Sequence, residues 1–328
     1  MREFEILRAS TPSDVFATLS RVPDAKLIAG GTNLVDLMKL GVEQPATLVD
    51  INGLGELNEI VLRDDGSLHL GALVGNSDVA WHKEVRARFP MVSEAILAGA
   101  TTQLRNMATI GGNLLQKNRC PYFADLDAGC NKRAPGTGCD AIEGTSRMCA
   151  VLGVSDDCIA AHPSDLCVAL AALGAVVHVS SADGERQIPF AEFHRRPGQT
   201  PWIETDLGTA ELITAVEIPN LNFARRSIYK KLRDRTSYAF ALVSVAAAVE
   251  MDAGRIGDLR LALGGVGTVP WRASEAEDAL RGTKPTKANL TDAAHAIFVD
   301  AQARKGNAFK IELAQRAIVR VLTELTKD

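Results

Sequence analysis

The spacing of apolar and polar residues predicts a small α/β unit at the start of the chain. Thr11 to Asp14 form a helix-capping signal ahead of an amphipathic stretch. A short apolar run over 26–29 leads into Gly30-Gly31-Thr32-Asn33, and helical spacing follows over 34–40. A second strand pattern covers 47–51. This order of strand, glycine turn and helix is typical of an anion site, because backbone N–H groups converge at the turn.

The middle of the chain alternates between strand and helix patterns, and the last third begins again with strands. We predict strands at 67–73, 176–180, 186–189, 211–219, 227–233, 240–251 and 259–264. We predict helices at 78–87, 92–98, 164–173, 274–280, 290–301 and 311–325. Together the patterns predict an α+β protein with units at 1–55, 56–222 and 223–328.

The composition narrows the class of protein. The chain has 328 residues, of which 46% are hydrophobic and 23% charged, so we expect two or three domains with ordinary cores. A formal charge of -4 and an aromatic content of 5% argue against nucleic-acid binding. The sequence shows neither a membrane span nor a signal-peptide pattern. We therefore expect a soluble protein, either cytoplasmic or carried to the periplasm by a partner with its own signal.

All six cysteines fall in one window that is also rich in proline, glycine and cations. They are Cys120, Cys130, Cys139, Cys149, Cys158 and Cys167. Cys167 lies in a predicted apolar helix, where a buried core cysteine is expected. The other five lie in a loop that cannot bury much apolar surface and therefore needs cross-links. Their spacing lacks Cys-x-x-Cys pairs and leaves disulfides, zinc and an iron–sulfur cluster open.

No catalytic acid, base or nucleophile stands out. The chain has no His-Glu-x-x-His motif, and its six histidines are widely spaced. It also lacks the Gly-x-Gly-x-x-Gly and P-loop motifs. Two loops, Gly30-Gly31 and Gly111-Gly112, each precede a small polar residue and an apolar segment. Either ordinary tight turns or a dinucleotide held between two subdomains would explain them.

Several segments together resemble the FAD-binding subunit of the molybdenum hydroxylases, the family of xanthine dehydrogenase and aldehyde oxidase. Residues 26–34 and 105–114 are similar to the paired FAD-binding signatures of that family. Pro163-Ser164-Asp165, Glu211-Leu212-Ile213 and Tyr229-Lys230-Lys231 are similar to its later blocks. The resemblance covers essentially the whole chain. It implies a two-subdomain FAD-binding fold followed by a smaller α+β C-terminal domain, with FAD as the cofactor.

The resemblance also implies which residues contact FAD. Backbone N–H groups of the first signature would bind the pyrophosphate, and the second signature would add another phosphate contact. Later residues would hold the ribose or adenine side and lie near the flavin ring. The implied residues are Leu27, Ile28, Ala29, Gly30, Gly31, Thr32, Asn33, Leu34, Thr109, Gly112, Asn113, Asp165, Ile213 and Lys230.

The chain departs from the plain family pattern in an insertion at about 117–161 that holds five cysteines. The insertion resembles the subgroup whose flavin subunit carries a 4Fe-4S cluster, as in bacterial aldehyde oxidoreductases with separate molybdenum, 2Fe-2S and FAD subunits. The resemblance implies Cys120, Cys130 and Cys139 as cluster ligands. Cys158, next to the point where the family pattern resumes, is the expected fourth ligand. Cys149 is the alternative.

The expected function is electron transfer within a heterotrimer. A large subunit with the molybdenum cofactor would oxidise an aldehyde, and electrons would pass through 2Fe-2S centres of a small subunit to FAD in this chain. FAD would then reduce an acceptor such as oxygen, a quinone, ferredoxin or NAD. The alternatives are a related hydroxylase acting on N-heterocycles such as xanthine, a stand-alone FAD oxidase, and a disulfide-stapled binding protein.

Overall fold

The first sheet is parallel and three-stranded. In a computed structural model, which describes residues 1–327, the first elements are β1 (Glu5–Arg8), α1 (Pro12–Arg21), β2 (Lys26–Ile28), α2 (Leu34–Leu40) and β3 (Thr47–Asp50). The strand order is β1-β3-β2. Helix α1 begins with a capping box, in which the Thr11 side chain accepts from the Asp14 N–H and the Asp14 carboxylate accepts from the Thr11 N–H. The predicted elements of this unit are confirmed.

A five-stranded antiparallel sheet follows. Its strands are β4 (Ile60–Leu62), β5 (Leu68–Gly71), β6 (Val176–Ser181), β7 (Gly184–Pro189) and β8 (Leu212–Ile218). The accompanying helices are α3 (Asn76–Trp81), α4 (Lys83–Arg88), α5 (Pro90–Ala98), α6 (Thr102–Met107), α7 (Ile110–Leu114), α8 (Pro121–Ala124), α9 (Asp165–Leu173) and α10 (Phe190–Phe193). The strand order is β4-β5-β8-β6-β7. The predicted strands and the other predicted helices of this region are confirmed with small shifts at their ends, but the helix predicted at 78–87 is divided into α3 and α4 by the extended backbone of His82.

Helices α6 and α7 were not predicted from the sequence. They have six and five residues, which is too short for a hydrophobic period to show. Thr101 caps α6 by accepting from the Leu104 N–H, and Thr109 caps α7 by accepting from the Gly112 N–H. A segment that is polar in pattern therefore folds into two short capped helices.

The C-terminal region consists of one sheet and three helices. The strands are β9 (Ser227–Leu232), β10 (Val243–Asp252), β11 (Arg255–Gly264) and β12 (Trp271–Arg272), in the order β12-β11-β10-β9. The helices are α11 (Ser274–Leu280), α12 (Lys287–Ala296) and α13 (Phe309–Leu325). Strand β10 begins three residues later than predicted, and α12 is displaced towards the N-terminus. Among the helices within residues 1–327, none has both the length and the apolar character needed to cross a bilayer.

Alternate residues of β10 face two different hydrophobic cores. Ala246 and Ala248 belong to the core that contains α5 and α9. Val245 and Val249 belong to the core formed with the C-terminal helices. Because successive side chains of a strand point to opposite faces, the C-terminal sheet packs side chains into both cores. The sheet therefore closes the core on which α9 lies.

The cysteine-rich segment before α9 is held largely by side chains bonded to backbone. The Arg133 guanidinium donates to five carbonyl oxygens, those of Tyr122, Phe123, Asp125, Leu126 and Ala128. The Asn131 side-chain oxygen accepts from the N–H groups of Gly136 and Gly138 at 3.0 and 2.9 Å. These bonds give the segment a defined shape although it has little regular structure.

A buried lysine connects this segment to the last helix. Lys310 in α13 is fully buried, and its Nζ donates to the carbonyl oxygens of Cys149 and Gly265 at 2.9 and 2.8 Å. The Asn307 side chain donates to the Ala150 carbonyl at 3.0 Å. Burial lowers the pKa of Lys310 to about 8.

The buried ammonium of Lys310 predicts a pH-dependent stability. An unfolded lysine has a pKa of 10.5, so between pH 8 and 10.5 the unfolded chain binds more protons than the folded one. The free energy of unfolding should therefore rise with pH across this window, by about 3 kcal/mol from this residue. Lys310→Met should abolish that rise.

Urea unfolding of the wild type and of Lys310→Met at a series of pH values measures the effect. Lys287→Met, which alters an exposed lysine at the start of α12, is the control. Parallel stability curves for the wild type and Lys310→Met would contradict the prediction.

Candidate cofactor cleft and cysteine site

An open cleft lies between the first sheet, helices α6 and α7, and the start of α9. Its volume is about 1190 Å³, which exceeds the roughly 300–1,000 Å³ typical of pockets for drug-sized ligands. All of the residues expected to contact FAD line this cleft except Lys230. Sequence segments that are far apart along the chain therefore form one wall.

The two glycine loops meet inside the cleft, with no room for a side chain at Gly30. A Cβ built on Gly30 would lie 1.6 Å from the carbonyl oxygen of Met107. Gly31 has a φ of 70°, in the left-handed region that favours glycine. Within residues 1–327, the N–H groups of Gly30, Gly31 and Thr32 have no hydrogen-bond partner. Such a row of free backbone donors is suited to an anionic ligand.

Thr109 and Asn113 fix the second loop and connect it to α9. The Thr109 hydroxyl accepts from the Gly112 N–H at 3.3 Å, which leaves its own proton to donate. The Asn113 side-chain oxygen accepts from the Ser164 hydroxyl at 2.5 Å. Ser164 is also the N-cap of α9. The loop is therefore tied to the helix that carries Asp165.

Several side-chain donors in the cleft have no protein acceptor within residues 1–327. They are Nδ2 of Asn33 and the Nε atoms of Arg105 and Arg119. Asn33 is held in place because its side-chain oxygen accepts from the Lys117 N–H at 2.8 Å. A buried donor without an acceptor costs about 1–3 kcal/mol. The cleft therefore fits a ligand that is rich in acceptor oxygens, such as a pyrophosphate.

Asp165 lies in a buried polar network. Lys231 Nζ donates to its Oδ2 at 2.7 Å, and the Tyr229 hydroxyl donates to its Oδ1. Burial, with the Asp165 charge beside it, raises the pKa of Tyr229 well above the usual value for tyrosine, so the hydroxyl stays protonated. Each Asp165 oxygen has a second lone pair that can accept from a ligand hydroxyl.

Lys231, and not Lys230, lies in the cleft wall. On β9, Tyr229 and Lys231 face inwards, whereas Lys230 is exposed. Neighbouring residues of a strand point to opposite faces, so a shift of one residue moves a side chain out of the site. The expectation for Lys230 differs from the structure here, and the sequence alone did not indicate which of the two lysines faces the cleft.

Cys120, Cys130, Cys139 and Cys158 line one small cavity next to the cleft. Cys149 lies beside Cys120 and lines a neighbouring pocket instead. Its hydrogen bond with Cys120 lowers the pKa of the Cys120 thiol to about 7. The last member of the six, Cys167, is buried in α9 as expected, and all six cysteines are free thiols.

The spacing of the loop thiols does not match a zinc site. A tetrahedral zinc with Zn–S bonds of 2.3 Å would hold its sulfurs about 3.8 Å apart. Within residues 1–327, no three of the loop thiols lie within 4.8 Å of one another. In an iron–sulfur cluster each thiolate binds a different iron, so the sulfurs stand farther apart.

One cation and one carboxylate, Lys132 and Asp157, line the cysteine cavity. Lys132 lines it with a side chain that is only 12% exposed. Outside this lining, Lys310 Nζ donates to the Cys149 and Gly265 carbonyl oxygens. The Lys132 charge favours the thiolate forms of Cys120 and Cys158. Burial raises the pKa of Cys158 to about 11, so in the metal-free chain that thiol is protonated at neutral pH.

His162, His194 and Cys167 form a second group with metal-ligand chemistry. Their ligand atoms lie within 4.8 Å of one another. However, His162 Nδ1 accepts from the Ser164 N–H at 3.3 Å, so the neutral ring carries its proton on Nε2 and has no free lone pair for a metal while this bond is made. Burial lowers the pKa of both histidines, to about 4 for His194, so both rings are neutral. This arrangement favours a buried polar contact over a metal site.

The cleft and the cysteine site share a wall. Arg119 lines the cleft, and the next residue, Cys120, lines the cysteine cavity. The Arg119 guanidinium lies 5.0 Å from the ring centroid of Phe240, which also lines the cleft. A group bound by the cysteines would therefore lie directly beside a ligand of the cleft.

Comparison with known proteins decides the family. A family model described as the FAD binding domain in molybdopterin dehydrogenase matches residues 2–221. A second model, the CO dehydrogenase flavoprotein C-terminal domain, matches residues 227–325. The chain belongs to this family of FAD-binding molybdopterin dehydrogenase flavoproteins.

Individual relatives agree with the family. The chain is 49% identical over 329 residues to the aldehyde oxidoreductase FAD-binding subunit PaoB of Escherichia coli, covering 99% of this chain and 98% of that one. It is 30% identical over 282 residues to the glyceraldehyde dehydrogenase medium chain of Sulfolobus acidocaldarius, covering 86% and 82%. A structure of carbon monoxide dehydrogenase from Hydrogenophaga pseudoflava has a TM-score of 0.74 at 26% identity, covering 98% and 96%.

Membership of this flavoprotein family confirms three expectations. The fold is an FAD-binding domain followed by a C-terminal domain, the cofactor is FAD, and the protein is an oxidoreductase flavoprotein. The cleft fits FAD by its size, its free backbone donors and its unpartnered side-chain donors. Arg105, Arg119 and Lys231 were not among the expected contacts. Their charge in a cleft for a dianionic pyrophosphate is the signal that could have found them.

The contact between the glycine loops predicts a specific loss of FAD. Gly30→Ala should weaken FAD binding at least tenfold, because the new methyl group cannot coexist with the Met107 carbonyl. Gly55→Ala is the matched control, since no atom lies within 4 Å of a Cβ at that position. Flavin absorbance per purified chain measures the effect. Full flavin content in Gly30→Ala would refute the role of this contact.

Proposed function

We propose that this protein is the FAD-containing electron-transfer subunit of a molybdenum-dependent aldehyde oxidase or dehydrogenase complex. The observation that carries the proposal is the FAD cleft beside a site of four cysteines. Bound FAD supplies the redox chemistry, and the residues of the chain bind and orient it.

The proposed FAD contacts follow from the cleft. Within the segment from Leu27 to Leu34, the free N–H groups of Gly30, Gly31 and Thr32 bind the pyrophosphate. The Thr109 hydroxyl and the turn at Gly112 and Asn113 hold a second phosphate position. Asp165, fixed by Tyr229 and Lys231, accepts from a hydroxyl on the ribose or adenine side. Ile213 provides an apolar surface for the flavin ring.

We further propose a 4Fe-4S cluster on Cys120, Cys130, Cys139 and Cys158. The shared cavity of these four thiols, their spacing and the largely buried Lys132 side chain beside them support this choice. Cys149 lies outside the cavity and is the alternative fourth ligand. Because Cys158 is protonated in the metal-free chain, cluster binding would release a proton. All six cysteines are free, which does not favour a disulfide-stapled binding protein.

The proposed partners are a large subunit with the molybdenum cofactor and a small subunit with 2Fe-2S centres. Electrons would enter FAD from the small subunit and leave to an external acceptor. Aldehydes are favoured over N-heterocycles because the relatives named above at 49% and 30% identity carry aldehyde-oxidising names. We propose domain bounds of 1–55, 56–222 and 223–328, in line with the separate sheets of these regions.

The proposal predicts one FAD and about four irons from this chain in the purified complex, in addition to the irons of the 2Fe-2S centres, together with aldehyde oxidation. Metal analysis, flavin release and EPR of the reduced protein measure these quantities. A complex that holds FAD but no iron in this chain would overturn the cluster and leave the flavin role intact. A chain without flavin would overturn the whole proposal.

Single cysteine variants test the ligand set. Cys158→Ser should reduce the iron content of the chain and abolish the 4Fe-4S signal, because it removes a thiolate from the shared cavity. Cys149→Ser and Cys167→Ser are the matched controls and should keep four irons. Iron content and EPR signal per FAD are the readouts. The opposite result, with loss in Cys149→Ser and retention in Cys158→Ser, would make Cys149 the ligand.

A further inference from the structure

A single carboxylate joins the walls of the two sites. Glu204 Oε1 accepts from Lys132 Nζ at 2.9 Å, and Oε2 accepts from Lys117 Nζ. The Glu204 side chain is 22% exposed, and those of Lys132 and Lys117 are 12% and 32% exposed. Along the sequence, Glu204 is 72 residues from Lys132 and 87 residues from Lys117. We name these three residues the Lys–Glu–Lys chain.

The two lysines belong to different sites. Lys132 lines the cysteine cavity, and its charge acts on the Cys120 and Cys158 thiols. Lys117 lines the FAD cleft, where its N–H also holds Asn33. Glu204 itself lines neither cavity. It therefore acts on both sites through the lysines that it holds.

The charge state of Glu204 depends on its contacts with the two lysines. Burial alone would raise the pKa of Glu204, but the two ammonium groups more than compensate and hold it below its usual value. The carboxylate is therefore ionised at neutral pH. The Lys–Glu–Lys chain carries two positive charges and one negative charge. The neighbouring His194 is neutral, so it adds no charge.

We propose that the Lys–Glu–Lys chain sets the reduction potential of the cluster, with Lys132 raising it and Glu204 lowering it. This inference rests on the proposed 4Fe-4S cluster. Reduction of the cluster takes one electron from reduced FAD and adds one negative charge to the cavity, with no bond made or broken at these side chains. A nearby ammonium stabilises the added charge, whereas a nearby carboxylate opposes it.

The expected direction of the shift in the reduction potential follows for each substitution. Lys132→Gln removes the positive charge that lines the cysteine cavity and should lower the cluster potential. The expected change in the ratio of reduced to oxidised cluster is about tenfold, or about 59 mV for one electron. Lys117→Gln should lower the potential less, because Lys117 is on the far side of Glu204. Glu204→Gln should raise it. Lys132→Arg keeps the charge and should keep the potential near that of the wild type.

The test is a redox titration of the intact complex followed by EPR of the cluster. A charge effect shifts the cluster potential in opposite directions in Lys132→Gln and Glu204→Gln. A general loss of structure would shift the potentials of both variants in the same direction. Lys287→Gln, a distant exposed lysine, is the control and should show no shift. Thermal unfolding checks that the variants fold.

The outcomes distinguish this inference from the proposed function. If the wild-type complex contains no iron in this chain, the proposed cluster fails, and this inference fails with it. If the cluster is present and the potentials of Lys132→Gln and Glu204→Gln equal that of the wild type, or shift in the same direction, the role of the Lys–Glu–Lys chain is wrong and the proposed function stands.

Discussion

The close contact of Gly30 with the Met107 carbonyl is the constraint on which the cofactor site depends. It brings the two glycine loops, more than 70 residues apart, into one wall. Because the loop around Gly30 makes few backbone bonds of its own, its N–H groups remain available to a ligand. The pairing of Thr109 with Gly75 in a β-bridge holds the other side. The cleft is therefore built by backbone packing, and side chains such as Asp165 and Lys231 complete it.

The cysteine segment adds a second site without changing that wall. Arg133 and Asn131 hold the loop through its backbone, so the thiols are positioned by hydrogen bonds and do not need disulfides to define the fold. Lys310 and Lys132 place positive charge next to them. Lys132 is paired with Glu204, and Lys310 is bonded to carbonyl oxygens, so both charges have partners within the protein.

The sequence predicted the features that depend on local patterns. The residues of Gly30-Gly31 left a tight turn and a dinucleotide loop open, and the family resemblance assigned the loop to FAD. Cys167 was predicted as buried from its apolar helix. The helices capped by Thr101 and Thr109 were missed because they are too short to show a period. Lys231 was missed because strand register decides which neighbour faces inwards. Glu204 gave no signal, since its partners are distant in sequence.

The central claim is that a 4Fe-4S cluster on Cys120, Cys130, Cys139 and Cys158 lies against the FAD cleft at Arg119. Crystallography of the intact complex with anomalous diffraction at the iron absorption edge tests it most directly. The account predicts one compact iron peak enclosed by these four sulfurs, next to flavin density in the cleft. Flavin density without iron in the cysteine cavity would contradict it.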